Sequence, residues 1–189
     1  MKTFTVLMVA ALLLFVSLPA SAANMGLKRL NGQAGLLFPS SPGIDYGTSF
    51  LIGAGADLGE LTDDLHLVPS LSYWIMSADP EGGAIAGLDA SASNFQIAAD
   101  VHYYLKDVKG LYFGGGLSFN FTSVSIDYNI PGFGSGSTSD SGTDIGIGLL
   151  GGYEMPLGKT STGFAQAKYN IISDFNTFAI MLGVWFDMK

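Results

Sequence analysis

The sequence predicts an all-β fold: a closed, antiparallel, eight-stranded up-and-down barrel that crosses a membrane. Three observations predict it. Eight segments of roughly ten residues alternate apolar and polar side chains with period two, the pattern of tilted strands with one face in lipid. The connections between them alternate short and long. Aromatic residues sort to the two ends of the segments around an aliphatic middle, as at two water–lipid interfaces. Composition agrees: the 189 residues are 48% hydrophobic and only 13% charged, with 26 glycines.

The first 22 residues read as an address. Lys2 supplies the positive start, Val6 to Val16 is an unbroken apolar run, and Ala20-Ser21-Ala22 is an A-x-A cleavage site. This is the layout of a secretory signal peptide, too short for an anchor helix. The mature domain then covers residues 23–189. No later run of 18 apolar residues follows, so the remaining hydrophobicity must be carried on strands.

The alternation is clearest at 94–106. Phe95, Ile97, Ala99, Val101, Tyr103 and Leu105 share one face, and Asn94, Gln96, Asp100, His102, Tyr104 and Lys106 the other. Segment one, about 30–39, sets Ala34, Leu36 and Phe38 against Asn31, Gln33 and Gly35. Segment two, 48–58, sets Phe50, Ile52 and Ala54 against Ser49, Gly53 and Asp57. Segment three, 65–76, sets Leu65, Leu71, Tyr73 and Ile75 against His66, Ser70, Ser72 and Trp74. After the fourth, at 94–106, segment five, 111–122, sets Phe113, Leu117, Phe119 and Phe121 against Tyr112, Gly114, Gly116 and Asn120. Segment six, 143–155, sets Ile145, Ile147, Leu149 and Tyr153 against Gly146, Gly148 and Glu154. Segment seven, 164–172, sets Ala165, Ala167, Tyr169 and Ile171 against Gln166, Lys168 and Asn170. Segment eight, 177–188, sets Phe178, Ile180, Leu182 and Phe186 against Thr177 and Gly183. An even number of strands lets the sheet close without a free edge, which lipid demands.

Connections 59–64, 107–110 and 156–162 are short; 40–47, 77–93 and 123–142 are long. The short 173–176 departs from the pattern. Short turns on the periplasmic side with long loops outside are the outer-membrane arrangement, which puts both termini in the periplasm. The low-complexity stretch 131–142 (PGFGSGSTSDSG) reads as the tip of the longest loop. Past Phe121 the apolar phase moves to Val124, Ile126 and Tyr128, which predicts a bulge near residues 122 and 123 and a ribbon pairing with the stretch before Thr143.

The chain resembles the small eight-stranded outer-membrane barrels: the OmpX type, the OmpA transmembrane domain and, more loosely, the OmpW type. The resemblance rests on strand count, loop asymmetry and the last strand, 178–186, which is similar to the terminal signal read by the barrel assembly machinery. This chain adds Asp187-Met188-Lys189 where the family usually ends on an aromatic residue. The resemblance implies a monomer in outer-membrane lipid and lipopolysaccharide, with a surface or structural role and recognition in the extracellular loops. A narrow conduit for small solutes, apolar ones included, is the alternative; a lipid-modifying enzyme comes third. The rival architecture is a soluble lipocalin-like barrel with its apolar faces inward. Aromatic belts and low charge favour the membrane version.

Chemistry is sparse. A net charge of −8 and a pI near 4.4 leave no basic patch for nucleic acid. Without Cys there is no thiol nucleophile or Cys-ligated zinc. Gly146-Ile147-Gly148-Leu149-Leu150-Gly151 matches G-x-G-x-x-G, but it lies inside a strand with no helix after it, so no dinucleotide site is expected. His66 and His102 lack metal-ligand spacing and the His-x-Ser pair of lipid A deacylases. No catalytic residue, cofactor or metal is therefore assigned. The inward face supplies a polar network instead: Asp57, His66, Asp100, His102, Lys106, Glu154 and Lys168. Charges in so dry a space must pair. Asp57 is expected opposite His66, and Glu154 is the first candidate for Lys168. Glycines thin the wall lining and leave separate polar, water-filled pockets. The long loops hold Asp45, Asp79, Glu81, Asp89, Asp127 and Asp140 without Lys or Arg, and Asp174 lies in the fourth connection. That acidic end suits repelling anions or gathering divalent cations.

Overall fold

A computed structural model describes residues 24–40, 44–80, 88–130, 134–173 and 175–188. The described residues form β1 (Asn24–Ser40), β2 (Ile44–Tyr46), β3 (Ser49–Thr62), β4 (Leu65–Pro80), β5 (Leu88–Tyr104), β6 (Leu111–Ile130), β7 (Gly134–Pro156), β8 (Ser161–Ile172) and β9 (Asn176–Asp187). All pairings are antiparallel. The sheet order is β2-β4-β3-β1-β9-β8-β7-β6-β5, and a β4–β5 ladder joins its far strand back to β4. Eight strands thus close into a ring, with β2 added at one edge. No described helix is long and apolar enough to cross a membrane; the crossing is made by strands.

The predicted faces hold. Phe50, Ile52, Leu117, Ile147, Leu149 and Leu182 lie exposed on the outside, while Trp74, Tyr112, Asn120, Thr177 and Trp185 are buried inside. Outward aromatics form rows across neighbouring strands. Tyr73 pairs with Phe95 and Phe95 with Phe121 at one rim, where Phe38 also pairs with Phe178. Tyr103 pairs with Phe113 at the other. A soluble barrel would bury these side chains, so the rival is excluded by which face is apolar.

Turns at the end carrying the termini are tight because their residues tolerate a left-handed backbone: Asp64 has φ 64° and Gly110 φ 87°. Ladder irregularities fall at this end, between Met25 and Arg29 in β1 and between Gly55 and Thr62 in β3.

At the opposite end the expected ribbon forms between the ends of β6 and β7, and strand extends further than the loops expected there. β4, β5, β6 and β7 run on above the rim as a raised sheet, and β2 pairs with the end of β4. The low-complexity stretch is strand from Gly134 onward; Pro131, Gly132 and Phe133 lie outside the described residues. The expected bulge near residues 122 and 123 is absent: the β6–β7 register runs unbroken from Leu111 opposite Tyr153 to Ile130 opposite Gly134. The phase change records a change of solvent. Inside the bilayer the outer face is apolar. Above it the outer face meets water, so Ser123, Ser125 and Asp127 take the outer phase, and Val124, Ile126 and Tyr128 continue the inner one.

Candidate functional site

The lumen is filled by side chains in layers. At the end carrying the termini, Arg29 from β1 is the hub. Its Nε donates to Asp57 Oδ2 at 3.0 Å and its Nη1 to Glu154 Oε2 at 2.8 Å. Its Nη2 donates to the Tyr104 hydroxyl at 2.9 Å. The Tyr104 hydroxyl in turn donates to Glu154 Oε1 at 2.7 Å. The guanidinium lies 4.7 Å from the Trp185 ring centroid, a stacking that a planar, weakly hydrated cation favours. Asp57 also receives the Gly59 amide at 2.8 Å and lies 3.0 Å from His66 Nδ1. One guanidinium so joins groups from β1, β3, β5, β7 and β9, and Asp57 ties in β4.

Higher up, Lys168 Nζ of β8 donates to Asp100 of β5 at 2.6 and 2.8 Å, both residues being deeply buried. His102 stacks on Tyr112 with centroids 4.7 Å apart. The Tyr112 hydroxyl donates to Gln166 Oε1 at 2.9 Å. Gly152 is required beneath that ring, since a Cβ there would collide with the Tyr112 hydroxyl.

Above this layer, β5 and β6 present amides and hydroxyls. Gln96 Nε2 donates to Asn120 Oδ1 at 2.8 Å, and Asn94 Nδ2 to Thr122 Oγ1 at 2.9 Å. Facing them is an apolar cluster that includes Leu37, Leu51, Trp74, Met76, Ile172, Phe175 and Met181. Phe175 belongs to the short turn between β8 and β9 and folds in over the lumen, its backbone oxygen receiving the Ile172 amide.

Of the residues the sequence singled out, Asp57, His66, Asp100, His102, Glu154 and Lys168 line the lumen. Asp57 and His66 meet as expected, although the backbone partner of His66 on β3 is Glu60. Two expectations are corrected. Lys168 pairs with Asp100, not Glu154: Glu154 sits a layer lower, committed to Arg29. Lys106 is not in the lumen. β5 ends at Tyr104, so Lys106 lies in the following turn, 66% exposed, with Nζ 2.8 Å from Asp64 Oδ2. That hydrogen bond holds its ammonium above the usual range. Arg29 is the residue sequence reasoning missed. It belongs to the inward phase of Asn31 and Gln33, two residues before Asn31; β1 begins at Asn24 and not near Leu30, so the phase extends that far.

The acidic positions lie in strand. Backbone register sets Asp45 opposite Asp79 and Asp89 opposite Asp127, while Asp140 stands opposite Val124. Glu81 and Asp174 lie outside the described residues. Among the described residues, Lys28, Arg29, Lys106, Lys109 and Lys159 all gather at the end carrying the termini, and no group of His, Asp and Glu is placed to hold a metal ion.

The raised sheet has an open side. β8 pairs with β7 only from Gly146 to Pro156, so residues 134–145 of β7 have β6 on one flank and nothing described on the other. The Glu154 amide donates to Gly110 ahead of β6, and the Leu157 amide to Ser161 at the start of β8. Even-numbered residues of β7 therefore bond toward β6 and odd-numbered ones toward β8. In the unbroken register, Ser135, Ser137, Ser139, Ser141 and Thr143 turn their amides and carbonyls to the open side. The Ser141 amide is met by Asp140 Oδ1 at 2.8 Å.

The family described as outer membrane protein beta-barrel domain matches residues 8–186. No curated protein matches the sequence. Among solved structures, Ail, the attachment invasion locus protein of Yersinia pestis, is similar with TM-score 0.59 and 14% identity over 87% of this chain and 100% of its own. Neisserial surface protein A has TM-score 0.55 and 14% identity over 85% and 97%. A major outer membrane protein from Thermus thermophilus has TM-score 0.52 and 14% identity over 85% and 99%. At these identities the likeness is one of fold.

Proposed function

The chain belongs to the outer membrane protein beta-barrel domain family and lies in the outer membrane; from that premise we propose that it is a plugged, monomeric surface protein that recognises an extended segment of another protein by adding it as a strand to β7. The observation that carries this is the open flank of residues 134–145, roughly 40 Å of unpaired strand at about 3.3 Å per residue. Natural sheets usually blunt such an edge with Lys or Pro. This one has neither, so main-chain hydrogen bonding is on offer.

Charge supports a basic partner. Among the described residues the raised end carries Asp127, Asp140 and Asp144 and no Lys or Arg. Ail has also been solved with the heparin analogue sucrose octasulfate; a polyanion of that kind does not suit this end. In the orientation we infer, the raised sheet is extracellular, and the basic turns and both termini are periplasmic. Lipopolysaccharide surrounds the barrel, and the barrel assembly machinery inserts it. Catalysis is no part of this reading: His66 is engaged by Asp57 and His102 is packed against Tyr112.

The test uses extended Lys-rich peptides and purified protein in lipid vesicles. Binding is expected to fall steeply with salt and to be lost in Ser139→Pro, which removes an edge-facing amide and no ladder bond. Equal binding by Ser139→Pro would overturn the strand-addition reading.

A further inference from the structure

We propose that the open flank of β7 selects a strand with a basic, a large apolar and a basic side chain at alternate positions on one face. This rests on the strand-addition reading above and names the sequence pattern that the edge takes.

The two faces of residues 134–145 differ in chemistry. Ile145, Ile147 and Leu149 are exposed on the outer face of β7, and the register above them is unbroken. Ser135, Ser137, Ser139, Ser141 and Thr143 therefore share that outer face. Gly136, Thr138, Asp140, Gly142 and Asp144 lie on the inner one. Both carboxylates of the open strand thus stand on one face, four residues and about 13 Å apart. Gly142 lies between them.

Nothing on β6 answers these three positions. Register sets Asp140 opposite Val124, Gly142 opposite Thr122 and Asp144 opposite Asn120. None of these is a cation. Asp140 receives only the neighbouring Ser141 amide, and among the described residues no group bonds the Asp144 carboxylate. A Cβ on Gly142 would meet nothing closer than Asp144 Oδ2 at 4.0 Å, so the face there is open. Gly136 shows the contrast. Its cross-strand neighbour Tyr128 lies over it, with ring and hydroxyl where a Cβ would stand. A large ring across a glycine shields its bare backbone in this way. Thr122, which faces Gly142, is short and is held by Asn94 Nδ2 instead.

An added strand meets these positions closely. Even-numbered residues of β7 bond toward β6, so on the open side they form the non-hydrogen-bonded pairs of an antiparallel addition. In such pairs the side chains are closest, with Cα atoms about 4.5 Å apart. One Lys or Arg then falls opposite Asp140, a second opposite Asp144, and an aromatic or large aliphatic side chain over Gly142. Moving either cation by one residue turns it to the outer face, against serines.

The experiment uses purified protein in lipid vesicles and two fluorescent Thr-rich peptides of one composition. In the first, Lys, Phe and Lys stand at alternate positions. In the second, each Lys is moved one position away from the Phe, onto the other face. The first is expected to bind about three- to tenfold tighter, the worth of two opposite-charge cross-strand pairs. Asp140→Asn with Asp144→Asn is expected to erase that preference. Gly142→Val is expected to erase the gain of Phe over Ala at the central position. Both variants should still migrate as folded without boiling. Ser139→Pro separates this proposal from the reading beneath it. Equal binding of the two peptides, with both lost in Ser139→Pro, overturns the pattern and leaves strand addition standing. Peptide binding that survives Ser139→Pro overturns both. Self-association blocked by Ser139→Pro but by neither peptide overturns the pattern and seats a second copy of the chain on the edge.

Discussion

Lys168 and Asp100 meet across the lumen from strands that share no ladder. β8 and β5 are separated by β7 and β6, yet Nζ lies 2.6 Å from Oδ2. Two glycines make the approach possible. A Cβ on Gly148 would stand 2.8 Å from Lys168 Cε, and one on Gly116 would stand 2.5 Å from Asp100 Oδ1. The pair and its clearances form one unit.

Removing one member of this pair leaves the other charged and buried. Lys168→Met should destabilise the barrel by about 3–5 kcal/mol. Lys168→Met with Asp100→Leu should recover most of that, because no charge then needs a partner. Urea unfolding in lipid vesicles, followed by tryptophan fluorescence, compares the three. A double variant as weak as the single one would contradict the account.

Gly148→Ala should cost stability by crowding Lys168, and part of that cost should vanish in the Lys168→Ala background, which removes the obstructing Cε and leaves Asn170 Oδ1 as the other close atom. Coupling between the two substitutions, read from a double-mutant cycle, is the expected signature.

Arg29→Ala should be the most damaging change at the end carrying the termini, since Asp57 and Glu154 lose their shared cation. The loss should again be about 3–5 kcal/mol. Arg29→Lys should restore little of it, because an ammonium cannot bond Asp57, Glu154 and Tyr104 as a fork while stacking on Trp185. Midpoints of urea unfolding for the three proteins check this.

No stable current steps are expected in a planar lipid bilayer. Phe175→Ala should lower stability, by up to about 3–5 kcal/mol for so buried a ring, and should still not conduct, because the Arg29 layer closes the other end. Porin-sized steps from the wild type would instead favour a conduit.

The mature protein should begin at Ala23. Mass spectrometry of protein extracted from membranes checks this against a chain that retains Met1.

Strand number, membrane exposure and which residue faces inward were all legible in the residues, because in a barrel these are local properties. Period-two alternation assigns a face to each side chain whatever its neighbours do, so Trp74, His102 and Lys168 could be placed in the lumen one strand at a time. The same logic reaches Arg29 once β1 is followed back to Asn24. Which inward residues touch was a different matter. Alternation alone does not choose between Glu154 and Asp100 as the partner of Lys168. Shear between strands decided it, by putting Glu154 at the height of Arg29 and Asp100 at the height of Lys168. How far the raised sheet extends beyond the expected ribbon was settled the same way. Its serines and glycines have low strand propensity, and only the continuing β6–β7 ladder holds residues 134–145 extended. The sequence by itself determined the faces, since each depends on the solvent beside one residue. The tertiary structure decided the pairs, since each depends on the stagger of strands far apart in the chain.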